Sequence, residues 1–449
     1  MERFEGVVAG VRERVEPDSD ERERLQQVAR SLAERTEDAI TNLPVEADVV
    51  QVGSTARGTW TSGDRDIDLF VRFPPELDRE TLESYGLKIG HEVLPDGHEE
   101  FAEHPYVKGQ FDGFDVDLVP CYRVESATNI QSAVDRTPFH TQYLEARLDD
   151  DLAREVLLFK QFLKGIGAYG SDLRTEGFSG YLSELLVLEY GSFRALLGAA
   201  ADWHPPVRFD PEDHGTEKFS DPLVVIDPTD PERNVAAVLT PENFARVQHY
   251  ARDLLDNPRE SLFFPDSPNP LTPEAVDGRI ADRGTAPVAI RFDAPDVVED
   301  QLYPQLQKSL SGIADALSRR GFDVLRADLF ADETAVLFFE LSVSERPAIE
   351  RHDGPPVHVR AHAAGFYEKY ADDDSYGPFI ENDRYVVERR REFTTATRFL
   401  ESETVFDSAL GVHVEQAMRE GYEVLSGDEI GVLAAEFGRE LARYFDPKP

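Results

Sequence analysis

The chain has 449 residues, 41% of them hydrophobic, which is enough apolar material for two to four cores. Aspartate and glutamate number 88 against 47 lysines and arginines, and the resulting net charge of −41, taken alone, argues against a nucleic-acid partner. The single cysteine, Cys121, excludes an internal disulfide and a cysteine-rich zinc site, and no apolar run approaches the roughly 20 residues of a membrane span.

The opening Met1-Glu2-Arg3-Phe4-Glu5 is charged and lacks the apolar core of a signal peptide, so a soluble, cytoplasmic protein is expected. The acid is spread along the chain, and lysines number eight against 39 arginines. That composition resembles the proteins of extreme halophiles, whose acidic surfaces stay solvated at molar salt. At molar salt the Debye length is about 3 Å, so net charge is almost invisible to a ligand. In such a solvent acidity says little against nucleic acid.

Leu25, Val28, Ala29, Leu32, Ala33, Ile40 and Leu43 recur at helical spacing and predict a helix over 20–43, capped by Asp18 or Ser19. A strand over 47–52 enters Gly53-Ser54. The next strand, 66–73, stops at Pro74-Pro75. Segments 106–110 and 114–122 flank Asp112-Gly113, a hairpin signal. The first 145 or so residues thus read as a small mixed sheet backed by helices.

Residues 150–200 turn helical. Leu152, Val156, Phe159, Leu163 and Ile166 form one stripe, broken by Gly165-Ile166-Gly167. A second helix opens at Gly177-Phe178-Ser179-Gly180 and runs through Tyr181, Leu185 and Leu188 to Phe193. Residues 203–235 are rich in proline and aspartate and read as a connector, and Thr240-Pro241 starts another helix. Over 285–345 the pattern is strand (287–292), helix (302–319), strand (322–325) and strand (335–341). That is half or more of a ferredoxin-like sheet, a frequent RNA-binding platform. A helix is expected over 357–370, and the last forty residues return to helix. Segment 384–393 alternates apolar and basic residues. Its arginines Arg389, Arg390 and Arg391 either contact a phosphate backbone or offset neighbouring acid.

The chemistry concentrates at Gly53-Ser54 and Asp66-Ile67-Asp68. Glycine lets backbone amides approach phosphate oxygens, and the serine hydroxyl adds a donor. Side chains alternate along a strand, so Asp66 and Asp68 share one face while Ile67 and Leu69 take the other. The two carboxylates interrupt a run that otherwise looks buried, and paired buried carboxylates call for a cation. Asp117, on a second apolar strand, offers a third ligand, and together they could hold two Mg²⁺ about 3.5–4 Å apart. Arg57 reads either as a triphosphate contact or as a surface cation. Lys160 is retained on an apolar helix stripe in a chain nearly devoid of lysine, which favours a binding role over a surface one. Tyr169, at a helix end, and His140 read more readily as structural side chains than as functional ones, and Cys121 as a core residue.

The chain closely resembles the archaeal CCA-adding tRNA nucleotidyltransferases, a class of the polymerase-β-like nucleotidyltransferase superfamily. The resemblance lies in GSTARGTW at 53–60, DIDLF at 66–70, AEHPYV at 102–107, VDLVPCY at 116–122 and SAVDRTPFH at 132–140. It continues in FLKG at 162–165, Tyr169-Gly170, GFSGYL at 177–182, DPTDPERNVA at 227–236, GPP at 354–356 and GPF at 377–379, and so spans nearly the whole chain. It implies a multidomain α+β protein: a nucleotidyltransferase-type mixed-sheet head over 1–145, a helical neck over 146–260, and a ferredoxin-like body with a small inserted α/β tail over 261–449. It implies Mg²⁺ as cofactor on the catalytic carboxylates Asp66, Asp68 and Asp117. It implies nucleotide contacts from Gly53, Ser54, Arg57, His140, Lys160 and Tyr169, with Arg233 reading the base. The family often has glutamate where this chain has Asp66, and both ligate Mg²⁺. The partners implied are the acceptor stem and 3′ end of tRNA, together with CTP and ATP. Oligomeric state, a homodimer included, is not fixed by the sequence. The rival readings are a poly(A)-polymerase-like or small-molecule nucleotidyltransferase, and a non-catalytic RNA-binding protein.

Overall fold

The computed structural model describes residues 2–101 and 103–449; Met1 and Ala102, the latter opening the stretch 102–107, lie outside the described residues. The chain forms two compact units, one up to Asp266 and one over Ser267–Lys448. Both mix helices with sheets. Among the described residues no helix is long and apolar enough to cross a membrane.

In the first unit α1 (Glu2–Val15) buries Phe4, Val8, Val11 and Val15 along one stripe. Asp18 caps α2 (Ser19–Thr41): its carboxylate accepts from the amides of Asp20 and Glu21, and Glu21 returns the bond to the Asp18 amide. β1 (Asp48–Val52) runs into the one-turn helix α3 (Gly53–Arg57), followed by β2 (Asp66–Phe73). Then come α4 (Arg79–Val93), β3 (His98–Phe101), β4 (Pro105–Phe111) and β5 (Phe114–Tyr122). Asp112 and Gly113, both at positive φ, make the two-residue turn between β4 and β5. The sheet order is β1-β2-β5-β4-β3, and the β2–β5 pair alone is parallel. Ile67, Leu69, Val71 and Phe73 alternate into a core with Leu82, Ile89 and Val107, which turns Asp66 and Asp68 to the opposite face.

The rest of this unit carries α5 (Thr137–Glu145), α6 (Asp150–Gly165), α7 (Gly180–Tyr190) and α8 (Phe193–Ala201) around Phe159, Phe162, Phe178 and Phe193. The single helix expected through Phe193 is two helices. Gly191, at φ 76°, ends α7, and Ser192 caps α8. The expected connector over 203–235 contains a sheet of its own, β6 (Val207–Phe209), β7 (Leu223–Asp227) and β8 (Asp230–Asn234), in that order. Its cause is the run Leu223 to Ile226, which is buried throughout and masked in the sequence by acid and proline on either side. Thr240 caps α9 (Pro241–Asp256), as expected.

The second unit begins with α10 (Pro273–Arg283), β9 (Ala286–Asp293), α11 (Glu299–Arg319), β10 (Val324–Ala331) and β11 (Thr334–Leu341). A separate three-stranded sheet follows, built from β12 (Ile349–Pro356), β13 (Tyr376–Glu381) and β14 (Arg384–Arg390), with α12 (Arg360–Tyr370) after its first strand. The chain closes with α13 (Ala396–Leu400), α14 (Val412–Glu420), β15 (Glu423–Ser426) and α15 (Ala434–Phe445), so the last forty residues are not all helical. The main sheet is antiparallel, in the order β10-β11-β9-β15. Ile290, Leu337 and Phe339 pack under Leu306 and Ile313 of α11, while Ala289, Val336 and Phe338 face Leu441 and Tyr444 of α15. Burial on both faces explains the apolar run from Ala335 to Phe339 in β11. Arg389 and Arg391 both bond to Glu350, and Arg390 Nε lies 3.8 Å from Asp374 Oδ2, so all three clustered arginines offset neighbouring acid.

Candidate active site

The parallel pairing of β2 with β5 sets Asp66 opposite Asp115 and Asp68 opposite Asp117. Burial pushes the Asp68 carboxyl up to about 6, and the charges of Asp117 and Asp66 add to the rise. Asp66 and Asp117 are raised as well, chiefly by burial. Asp115 and Asp64 reinforce the shift at Asp66, while Lys108, with Nζ 3.6 Å from Asp117 Oδ1, opposes it at Asp117. Gly53 has φ 77°, and a Cβ there would collide with Asp68 Oδ2. The glycine therefore makes room for a carboxylate as well as for a turn.

Mutually repelling carboxylates, held together by strand register, fit a hard divalent cation bound through oxygen. Among the described residues no group of three His, Cys, Asp or Glu is gathered tightly enough to hold a metal ion by itself. Mg²⁺ does not ask for that. It binds through one or two carboxylates and leaves the remaining positions to substrate phosphates and water.

A second group centres on Glu184, a fully buried carboxylate of α7. Arg57 of α3 donates from Nε to its Oε2 at 2.9 Å, with Nη2 at 2.8 Å, and from Nη1 to Thr141 Oγ1 at 3.1 Å. Lys160 of α6 donates to Glu184 Oε1 at 2.8 Å, to the Thr59 carbonyl at 3.0 Å and to Thr59 Oγ1 at 3.3 Å. The Thr59 hydroxyl also donates to Glu184. Burial alone would raise the Glu184 carboxyl, but Lys160 and Arg57 outweigh it and hold the group ionised. Tyr169 borders the same group, since a Cβ on Gly180 would meet its hydroxyl at 3.2 Å and Lys160 Nζ at 3.6 Å. Ser54 lies in the only turn of α3, where its carbonyl accepts from the amides of Gly58 and Thr59. Lys164, one turn beyond Lys160, contacts Thr61 and Asp64.

A third group gathers on Asp227 of β7, also fully buried. His140 and Arg233 both reach it at 2.8 Å. Burial pushes the His140 ring below its ordinary pKa against the pull of Asp227, so the ring is neutral at pH 7. His140 stacks on Tyr181, with centroids 3.9 Å apart and planes within 15°. Beside them opens a cleft of about 970 Å³ lined by Arg136, His140, Ser179, Tyr181, Arg233 and Asn234 among others, room for a nucleobase and its sugar.

The expected residues therefore fall into three adjoining groups: Asp66, Asp68 and Asp117 with Gly53; Arg57, Lys160 and Tyr169; and His140 with Arg233. The bond from Arg57 to Thr141, the residue after His140, ties the second group to the third. Sequence reading missed the two carboxylates that organise the latter groups, and it missed Tyr181, Lys108 and Lys164. A signal existed for Glu184, the one acid within the run 181–188, where a buried charge requires a partner. The scarcity of lysine that singled out Lys160 also applies to Lys108 and Lys164. No residue-level signal marked Asp227 in an acid-rich stretch.

Residues 22–140 match the nucleotidyltransferase domain family, 154–264 the second domain of tRNA nucleotidyltransferase, and 283–427 the C-terminal domain of the CCA-adding enzyme. The chain is 62% identical to a CCA-adding enzyme of Haloarcula marismortui over 464 aligned positions, which cover 100% of both chains. It is 59% identical to one from Halobacterium salinarum, covering 98% of each. A third, from the methanogen Methanoregula boonei, is 46% identical over 96% of this chain and 93% of its own.

Proposed function

The chain belongs to the family of CCA-adding enzymes, and we propose that it adds and repairs the 3′-terminal CCA of tRNA from CTP and ATP, without a template and with release of diphosphate. The observation that supports this chemistry most directly is the parallel register that brings Asp68 beside Asp117, with Asp66 on the same face of β2. These three carboxylates would hold a divalent metal, and their all-oxygen donor set favours Mg²⁺. Bound there, the metal supplies activation of the attacking 3′ hydroxyl and neutralisation of the leaving diphosphate.

The protein's own share is positioning. Gly53 keeps the turn clear beside Asp68. Ser54, Arg57, Lys160 and Tyr169 contact the phosphates and sugar of the nucleotide. Arg57 and Lys160 stand ready for that task because Glu184 holds both side chains in one place. His140 and Arg233 face the base in the 970 Å³ cleft. In this reading residues 1–145 are a catalytic head and 146–260 a neck. Residues 261–449 are a body with an inserted tail, and these bind the acceptor stem. The order β10-β11-β9-β15, with α11 between its first two strands in sequence and α14 before its last, supports reading the body as ferredoxin-like.

The test offers the protein a tRNA lacking its 3′ end, Mg²⁺ and one labelled nucleotide at a time. CTP should enter on the bare end, and ATP only after two cytidines. A homopolymeric tail, or nucleotide transfer to a small molecule alone, would overturn the reading.

A further inference from the structure

Asp227 is fully buried, yet four neighbouring residues donate to it. Oδ2 accepts from His140 Nε2 and from Arg233 Nη1, each at 2.8 Å. Oδ1 accepts from the Thr229 amide at 2.9 Å, the Thr229 hydroxyl at 2.8 Å and the Tyr181 hydroxyl at 3.3 Å. His140, Tyr181 and Arg233 come from α5, α7 and β8, and all three line the cleft, whereas Asp227 does not. One hidden carboxylate thus sets the orientation of three cleft side chains delivered by three different elements.

We propose that Asp227 is a positioning residue for nucleobase selection, fixing the Arg233 guanidinium and the His140 ring so that the cleft can distinguish cytosine from adenine. The proposal rests on the reading that this cleft takes the base. Cytosine and adenine each present an exocyclic amine beside an acceptor ring nitrogen, and they differ in where ring size puts that pair. A mobile donor would follow either base, so telling them apart needs a donor whose place is fixed. The guanidinium is a rigid planar fork, and anchoring one of its nitrogens fixes the direction of the others. His140 spends its Nε2–H on Asp227, which leaves Nδ1 as an acceptor for an exocyclic amine, and the stacked Tyr181 ring stops the imidazole from turning. Burial would raise the Asp227 carboxyl, but the bonds from His140 and Thr229 hold it below the usual carboxylate range, so this anchor stays charged at every working pH.

Asp227→Asn keeps the shape and removes the charge. Its amide nitrogen cannot accept from Arg233 and His140. Single-turnover incorporation of CTP and ATP is measured separately on tRNA ending before the first C, after one C and after two. Discrimination between the nucleotides should fall at least tenfold at two or more of these steps, with tRNA affinity within a few-fold of wild type. A uniform loss of rate with the ratio unchanged would make Asp227 merely structural and overturn the proposal. Arg233→Ala is run in parallel. If it too leaves the ratio unchanged, the base-reading role of the cleft is what fails; if it alters the ratio and Asp227→Asn does not, only the present proposal falls. A measurement on the unaltered protein guards against a variant that does not fold. ¹⁵N spectra of labelled histidine, with His140 assigned through His140→Gln, should show a neutral ring protonated at Nε2 at pH 8. Protonation at Nδ1 in the neutral ring would overturn the arrangement.

Discussion

Lys160 Nζ lies 2.8 Å from Glu184 Oε1, with 3% and 0% of the two side chains exposed; the Thr59 hydroxyl shares that oxygen, and Arg57 takes Oε2. Deleting Lys160 leaves Arg57 as the countercharge on Glu184, so the cost falls at the low end of that for a broken buried pair, about 3 kcal/mol. Lys160→Ala is therefore expected to lose stability of that order in urea unfolding at molar KCl. It should also raise KM for CTP and ATP alike, because a phosphate contact is blind to the base. A KM change confined to one nucleotide would mean that Lys160 reads the base instead.

Asp68 sets function against stability. Its folded pKa of about 6 lies above the 3.8 of the unfolded chain, so between those values the folded, metal-free protein holds the proton more tightly. As pH rises through that window stability is lost, and at pH 7 the full cost of the ionised group is present. Asp68→Asn removes that cost, so the melting temperature of the metal-free protein at pH 7 should rise. Nucleotide incorporation should fall below a tenth of wild type, and tRNA binding should stay within a few-fold. Mg²⁺ should stabilise the wild type more at pH 7 than at pH 5, where protons compete for Asp68, and should stabilise the variant less at pH 7. Melting curves with and without Mg²⁺ at the two pH values check the stability statements, and labelled-nucleotide incorporation and tRNA binding assays the other two; a lower melting temperature for Asp68→Asn would refute the electrostatic account. Asp117→Asn should also lose incorporation.

Gly53→Ala tests the turn. Its φ of 77° disfavours any side chain, at roughly 1–2 kcal/mol, and the new methyl would push against Asp68 Oδ2. Stability should drop by that order, and turnover by a hundredfold or more, because the displaced carboxylate is a metal ligand in the proposed mechanism. Near-normal turnover in the Gly53→Ala enzyme would separate Asp68 from the chemistry.

How much of this could be read beforehand depended on the range of the interaction. β2 was legible to the residue, since Ile67, Leu69, Val71 and Phe73 announce a half-buried strand. The hairpin was legible because Asp112-Gly113 suits positive φ. α7 and α8 were merged because α7 is buried from Leu182 to Val187, around its whole circumference, where periodicity carries no phase to break at Gly191. The sheet of β6, β7 and β8 was missed because short strands in an acidic, proline-rich stretch gain their stability from distant partners. The same limit applies at the site. Asp66 and Asp68 declare themselves by spacing, whereas Glu184 and Asp227 matter only because residues 127 positions earlier and 87 positions earlier fold back onto them.

Salt offers the last test. Individual surface pairs, such as Arg24 with Asp112 at 2.9 Å and both more than half exposed, contribute only about 0–1 kcal/mol each. Pairing of this kind cannot neutralise an excess that leaves the chain at −41. At 0.1 M salt the Debye length is about 10 Å, so carboxylates on neighbouring elements repel one another, and at 1 M it is about 3 Å and that repulsion is screened. The melting temperature should therefore climb steeply between roughly 0.1 and 2 M KCl, with or without Mg²⁺. Binding of tRNA should weaken less over the same range than counterion release from a basic protein would dictate, because an acidic surface has few condensed ions to displace from the RNA. Circular dichroism melts across a KCl series measure the first effect, and binding isotherms at each salt concentration the second. A melting temperature that stays flat or falls would show that the acidic surface is not an adaptation to salt.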